Sequence, residues 1–147
     1  MKSLRGALLC VLMVTLPLSA AESLAGVWKM RPSAKPGDTS KQTQTQTIET
    51  VAGGLKITTD IEFGNGTGMS MTYVTKLDGA EVPVYSSGKV VMTLRAKRTG
   101  PNSYEGSTTG PGGTSTFKTT VSADGKTITV DGMIDKIPSH SVFDRVK

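Results

Sequence analysis

Cysteine is nearly absent from this chain of 147 residues: there is one, Cys10, inside an apolar run near the N-terminus. Beyond that run a disulfide framework, a thiol nucleophile and a thiolate metal centre are all excluded. Histidine also occurs once, as His140, so no histidine-rich metal cluster can be assembled. Aromatic residues make up only 5% of the chain, and the basic residues do not interleave with them as a nucleic-acid face requires. No window after residue 21 sustains a helical period over ten residues. Without helices, neither a nucleophile elbow nor a phosphate-cradling glycine loop at a helix start has a frame to sit on. Catalysis is therefore not expected, and neither is a cofactor.

What is present begins with an export signal. Lys2 and Arg5 precede the apolar run Ala7–Leu16, and Pro17-Leu18-Ser19-Ala20-Ala21 supplies small residues for cleavage. These are the three zones of a secretory signal peptide. The run is too short to span a bilayer, which takes about 20 residues. Cleavage is expected after Ala21, with Ala20 as the neighbouring alternative, leaving residues 22–147 as one domain in the periplasm or outside the cell. No cysteine stands at the cut to carry a lipid, so a free chain with no membrane span is expected. Losing Lys2 and Arg5 lowers the net charge from +5 to about +3, an ordinary solvated surface that gives no warrant for nucleic-acid binding.

The rest reads as short strands. Thr, Val and Ile are frequent, and Gly or Pro interrupts the chain every 8 to 15 residues. Residues 26–30 form a first strand, and a loop with Pro32 and Pro36 follows. Residues 41–51 alternate Gln and Thr before Ile48 and Val51, and the Thr side is expected to be half buried. Leu55, Ile57, Ile61 and Phe63 share one face of the next strand, against Lys56, Asp60 and Glu62 on the other. Met69, Met71, Tyr73 and Leu77 line one side of the following strand, where Tyr73 is expected to meet Phe63. Asp78-Gly79 and Asp124-Gly125 are hairpin signals. Pro83 predicts an edge or irregular strand. Val90, Met92, Leu94 and Ala96 alternate with Val91, Thr93, Arg95 and Lys97. Strands of this kind recur to Val146, nine or ten in all, joined by short turns. Short turns join neighbours, and a long meander with one apolar face per strand removes its edges by closing. The expected fold is all-β, a single antiparallel up-and-down barrel of about 8–10 strands, and a monomer is expected.

Function is less sharply marked. Thr45, Thr59 and Thr75 are expected inside, so the barrel interior is either a semi-polar cavity or a core filled by small side chains. Phe63, Met69, Met71, Tyr73 and Met92 are the candidate ligand-binding residues. Met69 and Met71 lie about 7 Å apart along one face, and soft thioethers of this kind suit Cu(I). Met30, Met92 and His140 could complete such a site, although methionines also fill irregular cores.

Three segments carry a resemblance: Gly26-Val27-Trp28-Lys29-Met30, Val121–Val130 with Ser122-Ala123-Asp124-Gly125-Lys126-Thr127, and Val142-Phe143-Asp144-Arg145. With Leu77-Asp78-Gly79 and Val82-Pro83-Val84 between them, the chain resembles a group of small exported bacterial lipocalin-like proteins of unknown function. More widely it is similar to lipocalins and other calycins, whose first strand carries Gly-x-Trp. That resemblance implies that Trp28 closes one end of the barrel beneath a basic side chain from near the last strand, with Gly26, Trp28 and Arg145 as the matching residues. The chain lacks the Thr-Asp-Tyr loop motif and the C-terminal helix of true lipocalins. The expectation is a non-enzymatic barrel for a small apolar or amphipathic molecule. Its rivals are a filled interaction module of the cell envelope and a methionine-based copper site.

Overall fold

The computed structural model describes residues 24–32 and 41–146, so the expected signal peptide and most of the proline loop after the first strand lie outside the described residues. Ten strands follow one another: β1 (Gly26–Met30), β2 (Thr43–Val51), β3 (Gly54–Glu62), β4 (Gly68–Thr75), β5 (Asp78–Ser86), β6 (Lys89–Gly100), β7 (Ser103–Gly110), β8 (Gly113–Val121), β9 (Thr127–Ile134) and β10 (Ile137–Arg145). Each pairs antiparallel with its sequence neighbour, and β1 also pairs with β10, which closes the barrel. Closure leaves no strand edge unpaired, the outcome the meander pattern favours. Two tips on the same rim are two-residue turns with positive φ at both central positions, Ser87-Gly88 and Asp135-Lys136. That mirror-image geometry matches the twist of the flanking strands.

Cross-strand register fixes which side chains face in, because directly paired residues share a face. The row Arg145, Trp28, Gln46, Thr59, Met71 runs across five strands on the inner side. A second inner row joins Phe143, Ile128 and Val121. Burial is concentrated at the end where β1 starts. Trp28 and Ile128 are fully buried, and Leu24, Ile48, Leu55, Leu77, Val121 and Phe143 nearly so. This is the core of the molecule, and it fills one half of the barrel.

Three details differ from the sequence expectation. Within β2 it is the glutamine side that faces inward: Gln46 pairs with Trp28 and Thr59, whereas Thr45 pairs with Lys29 and Asp60 on the outer side. Period 2 alone does not say which face is wet. Ile48, 3% exposed, decides it, and Gln44 and Gln46 share its parity. Phe63 lies just beyond β3 in the turn to β4, where its N–H bonds to the Thr67 carbonyl and its own carbonyl accepts from Gly66. It is 39% exposed, and Tyr73 pairs with Ile57 instead. Finally, the register shift of β5 against β6 between Val84 and Tyr85 leaves Val91 without a partner. That bulge packs Val91 against the core and leaves Val90 exposed.

β5 is irregular on both sides. It carries two register shifts against β6, and on the β4 side only Thr72 and Tyr85 form a registered pair. Pro83 has no N–H to give a ladder, and the seam between β4 and β5 has the fewest registered pairs in the wall.

Candidate functional site

The filled half of the barrel ends in a plug. Trp28 donates its indole N–H to the Leu24 carbonyl at 2.9 Å, satisfying the one polar atom of a fully buried ring. The Arg145 guanidinium lies 4.1 Å from the ring centroid and donates to the carbonyls of Gly125 and Ala25 at 2.7 and 2.6 Å. One cation thus covers the tryptophan and ties β10 to the turn before β9 and to the start of β1. Gly26 pairs with Ile48 at φ 146, a backbone geometry that favours glycine. Outside this plug Arg31 and Asp144 form a bidentate pair at 2.7–2.8 Å. Arg31 holds the Asp144 carboxyl below the usual carboxylate range, chiefly through that hydrogen bond.

Above the plug the same inward faces look different. Met30, Met71, Tyr73, Val82, Met92, Phe117 and Val130 pack against the core yet are only partly buried, and Met69 at the far end of β4 is 39% exposed. Small inward residues widen this half. Gly106 and Gly132 flank Phe117 in register, and Ser115, Ser139 and Ser141 continue the inner rows. Gly106 makes room for the Phe117 ring, since a Cβ there would sit 2.8 Å from its Cζ, whereas a Cβ at Gly132 would sit 2.6 Å from the Thr116 carbonyl oxygen. That ring also meets Tyr104 edge-on at 6.2 Å between centroids.

The polar atoms here are informative. Gln44, Gln46, Ser139 and Ser141 are half-buried on the inner side and make no side-chain hydrogen bond to another described residue. Yet no buried side-chain polar atom among the described residues lacks a partner. Their amides and hydroxyls therefore open onto solvent-accessible space inside the barrel rather than being sealed in packing. Deeper in, Tyr73 and Tyr104 are close enough to influence each other. Desolvation pushes the Tyr73 phenol far above its ordinary value, with Tyr104 adding to the shift. Burial raises Tyr104 as well, opposed by a hydrogen bond with Thr119 and by the charge of Arg98.

The candidate ligand-binding residues are thus partly brought together. Met69, Met71 and Tyr73 follow one another on the inner face of β4, and Met92 joins the same partly buried shell from β6. Phe63 does not belong to it. Gln44, Gln46, Ser139, Ser141 and Phe117 are the inner residues that sequence reasoning passed over, and the parity of Ile48 and Phe143 is the signal that finds them. The copper alternative is not assembled: His140 is on the outer face, its Nδ1 2.6 Å from Asp131 Oδ1, across the wall from Met69 and Met71. Two open depressions lie elsewhere. One, about 330 Å³, is at the plugged end among Thr50, Leu55, Thr75, Leu77 and Arg98. The other, about 610 Å³, is on the outer wall over β7–β9 among Glu105, Ser107, Thr116, Lys118, Asp131 and Met133. Neither contains a candidate ligand-binding residue.

Ten antiparallel strands closed in sequence order, filled at one end and polar-lined at the other, define a calycin-type barrel. No protein-family profile matches the chain, and no curated protein matches it in sequence. Solved structures do match in fold. A Schistosoma mansoni fatty acid binding protein in complex with arachidonic acid superposes with a TM-score of 0.58 at 16% identity, covering 87% of this chain and 99% of that one. A mutant of the fluorescent protein UnaG gives 0.57 at 16% identity over 86% and 99%. The REP1-NXSQ fatty acid transporter gives 0.56 at 12% identity over 86% and 98%. Two of these are binding or transport proteins by name. Identities this low establish the shared fold.

Proposed function

We propose that the chain is an exported, non-enzymatic carrier that holds a small apolar or amphipathic molecule in the unplugged half of its barrel, acting as a monomer in the periplasm or outside the cell. One observation carries this reading. Inward-facing side chains are mostly buried at the Trp28 end, whereas Gln44, Met71, Met92, Ser139 and Ser141 farther along are only partly buried, which supports an incompletely filled open half. Methionines and an aromatic ring beside a few convergent polar groups are the usual lining of a small-molecule site, and Met69, Met71, Met92 and Phe117 face inward with Gln44, Ser139 and Ser141. The fatty acid binding protein and transporter that share the fold support it by analogy. The non-enzymatic part rests on the inner wall, where the described residues between rim and plug offer amides and hydroxyls and set no acid, base and nucleophile side by side.

Native mass spectrometry of the protein purified from its own cell envelope tests the reading. A co-purifying organic mass that delipidation removes is expected. A clean ligand-free mass under mild conditions, with no uptake of apolar probes, would leave the filled interaction module as the better account. An added copper mass would revive the thioether site.

A further inference from the structure

The inner wall carries an uneven distribution of charge, and this bears on what can enter. By register the inward positions between the open rim and the plug include Gln44, Ile61 and Met69; Gln46, Thr59 and Met71; Met92 and Val84; Thr108 and Ser115; and Phe117, Gly132 and Ser139, below Ser86 and Lys89 on the rim itself. None of those below the rim is ionisable. By register the inward cations among the described residues are Arg98 and Arg145, which belong to the plugged end, and Lys89, which pairs with Ser86 on the exposed rim of the open half. Arg145 is spread over the Trp28 ring and bonded to two backbone carbonyls. Arg98 donates to the Pro101 carbonyl at 3.1 Å and lines the depression at the plugged end. The remaining charges of the wall point outward, as in the cross-strand row Lys97, Glu105, Lys118, Asp131, His140.

A carboxylate taken in past the Lys89 rim would lose its hydration and meet no cation before the plug. An unpaired buried charge is far more costly than a neutral polar group, which needs only a hydrogen-bond partner. Partners of the second kind are what the wall offers. The Gln44 and Gln46 amides each supply a donor and an acceptor, and Ser139 and Ser141 supply hydroxyls facing the same space. None of them is engaged by another described residue. Resting on the carrier reading above, we propose that the barrel selects uncharged ligands: an apolar body with a neutral hydrogen-bonding group, such as an alcohol, an ester or an amide, in preference to an ionised fatty acid.

The test uses the chain from residue 22 loaded with the neutral dye Nile red. Displacement by hexadecanol and by methyl palmitate is compared with displacement by palmitate, below the micelle concentration and near pH 8, where a carboxyl with an ordinary pKa is ionised. Either neutral ligand is expected to displace the dye at a concentration at least about tenfold lower than palmitate, a difference of about 1.4 kcal/mol. Palmitate that competes equally or better overturns the selectivity and leaves the carrier reading standing. A barrel that takes up neither the dye nor any of the three ligands, although folded by circular dichroism, overturns both. Gln44→Arg supplies the missing cation at a partly exposed inner position. This variant is expected to bind palmitate about tenfold more tightly than the parent. No gain for palmitate would mean that inner-wall charge is not what discriminates.

Discussion

Replacing Trp28 probes the plug most directly. The ring is fully buried, its N–H is spent on Leu24, and Arg145 lies against its face. A buried aromatic of this size covers about 150–250 Å², which at about 25 cal/mol per Å² corresponds to roughly 4–6 kcal/mol. Measured aromatic-to-alanine changes in cores cost about 3–5 kcal/mol, so about 4 kcal/mol is expected for Trp28→Ala. For a domain of this size that lowers the Tm by roughly 12–20 °C. Arg145→Met removes the stack and two hydrogen bonds to carbonyls that water can partly reach, and about 1–2 kcal/mol is expected. The two residues touch, so their effects are not additive. A cycle with Trp28→Leu, Arg145→Met and the double variant is expected to show about 0.5–2 kcal/mol of coupling. Urea unfolding followed by far-ultraviolet circular dichroism measures all of these without the indole signal. Binding in the unplugged half is expected to survive in the variants that stay folded. A Trp28→Ala protein that melts within a few degrees of the parent but loses its ligand would refute the argument, because the ring would then be a binding residue and not a plug.

Other outcomes follow from the same geometry. Gly106→Val drives a side chain into the Arg95 carbonyl and the Phe117 ring, and a loss of at least about 2 kcal/mol is expected by denaturant titration. Asp144 is expected to titrate below the ordinary carboxylate range by NMR and to return to it in Arg31→Leu. Because its folded pKa is depressed, its stabilising effect is present above the unfolded pKa and is lost as pH falls through the folded one, so Asp144→Asn flattens only the acid limb of the stability curve. For the phenols the sign reverses. Tyr73 and Tyr104 have raised folded pKa values, so their contribution is whole below about pH 10 and is lost as pH climbs beyond it. Absorbance at alkaline pH is expected to show two of the three tyrosines ionising only with unfolding.

The fold was largely legible because its signals are local. Alternation in residues 54–62, Gly and Asp at the turns, and the strand count all follow from period and turn chemistry, and the ten closed strands match them. The inner wall was less legible where the alternation is chemically flat. Gln and Thr in residues 43–47 have no hydrophobic contrast, so the inside can be told only by carrying parity back from Ile48. Phe63 misled for a related reason. It continues the apolar parity of β3, but the chain has already left the ladder, and parity holds no information on where a strand ends. The bulge at Val91 is a tertiary effect, set by the mismatch with β5, and nothing within residues 89–98 announces it.

The closing contacts join residues far apart in sequence: Arg145 reaches Ala25 across 120 positions, and Val146 donates to the Val27 carbonyl. Contacts of that span are the last to repay the entropy of bringing chain segments together. The barrel is therefore expected to close last along β1 and β10, with Trp28 covered only at that step. The sparse β4–β5 seam sets up the converse. A circular permutant that joins β10 to β1 and places its new ends between Thr75 and Asp78 would turn the longest-range contacts into neighbouring ones. It would open the wall at the seam with the fewest registered pairs, and such a chain is expected to fold faster than the parent in stopped-flow refolding.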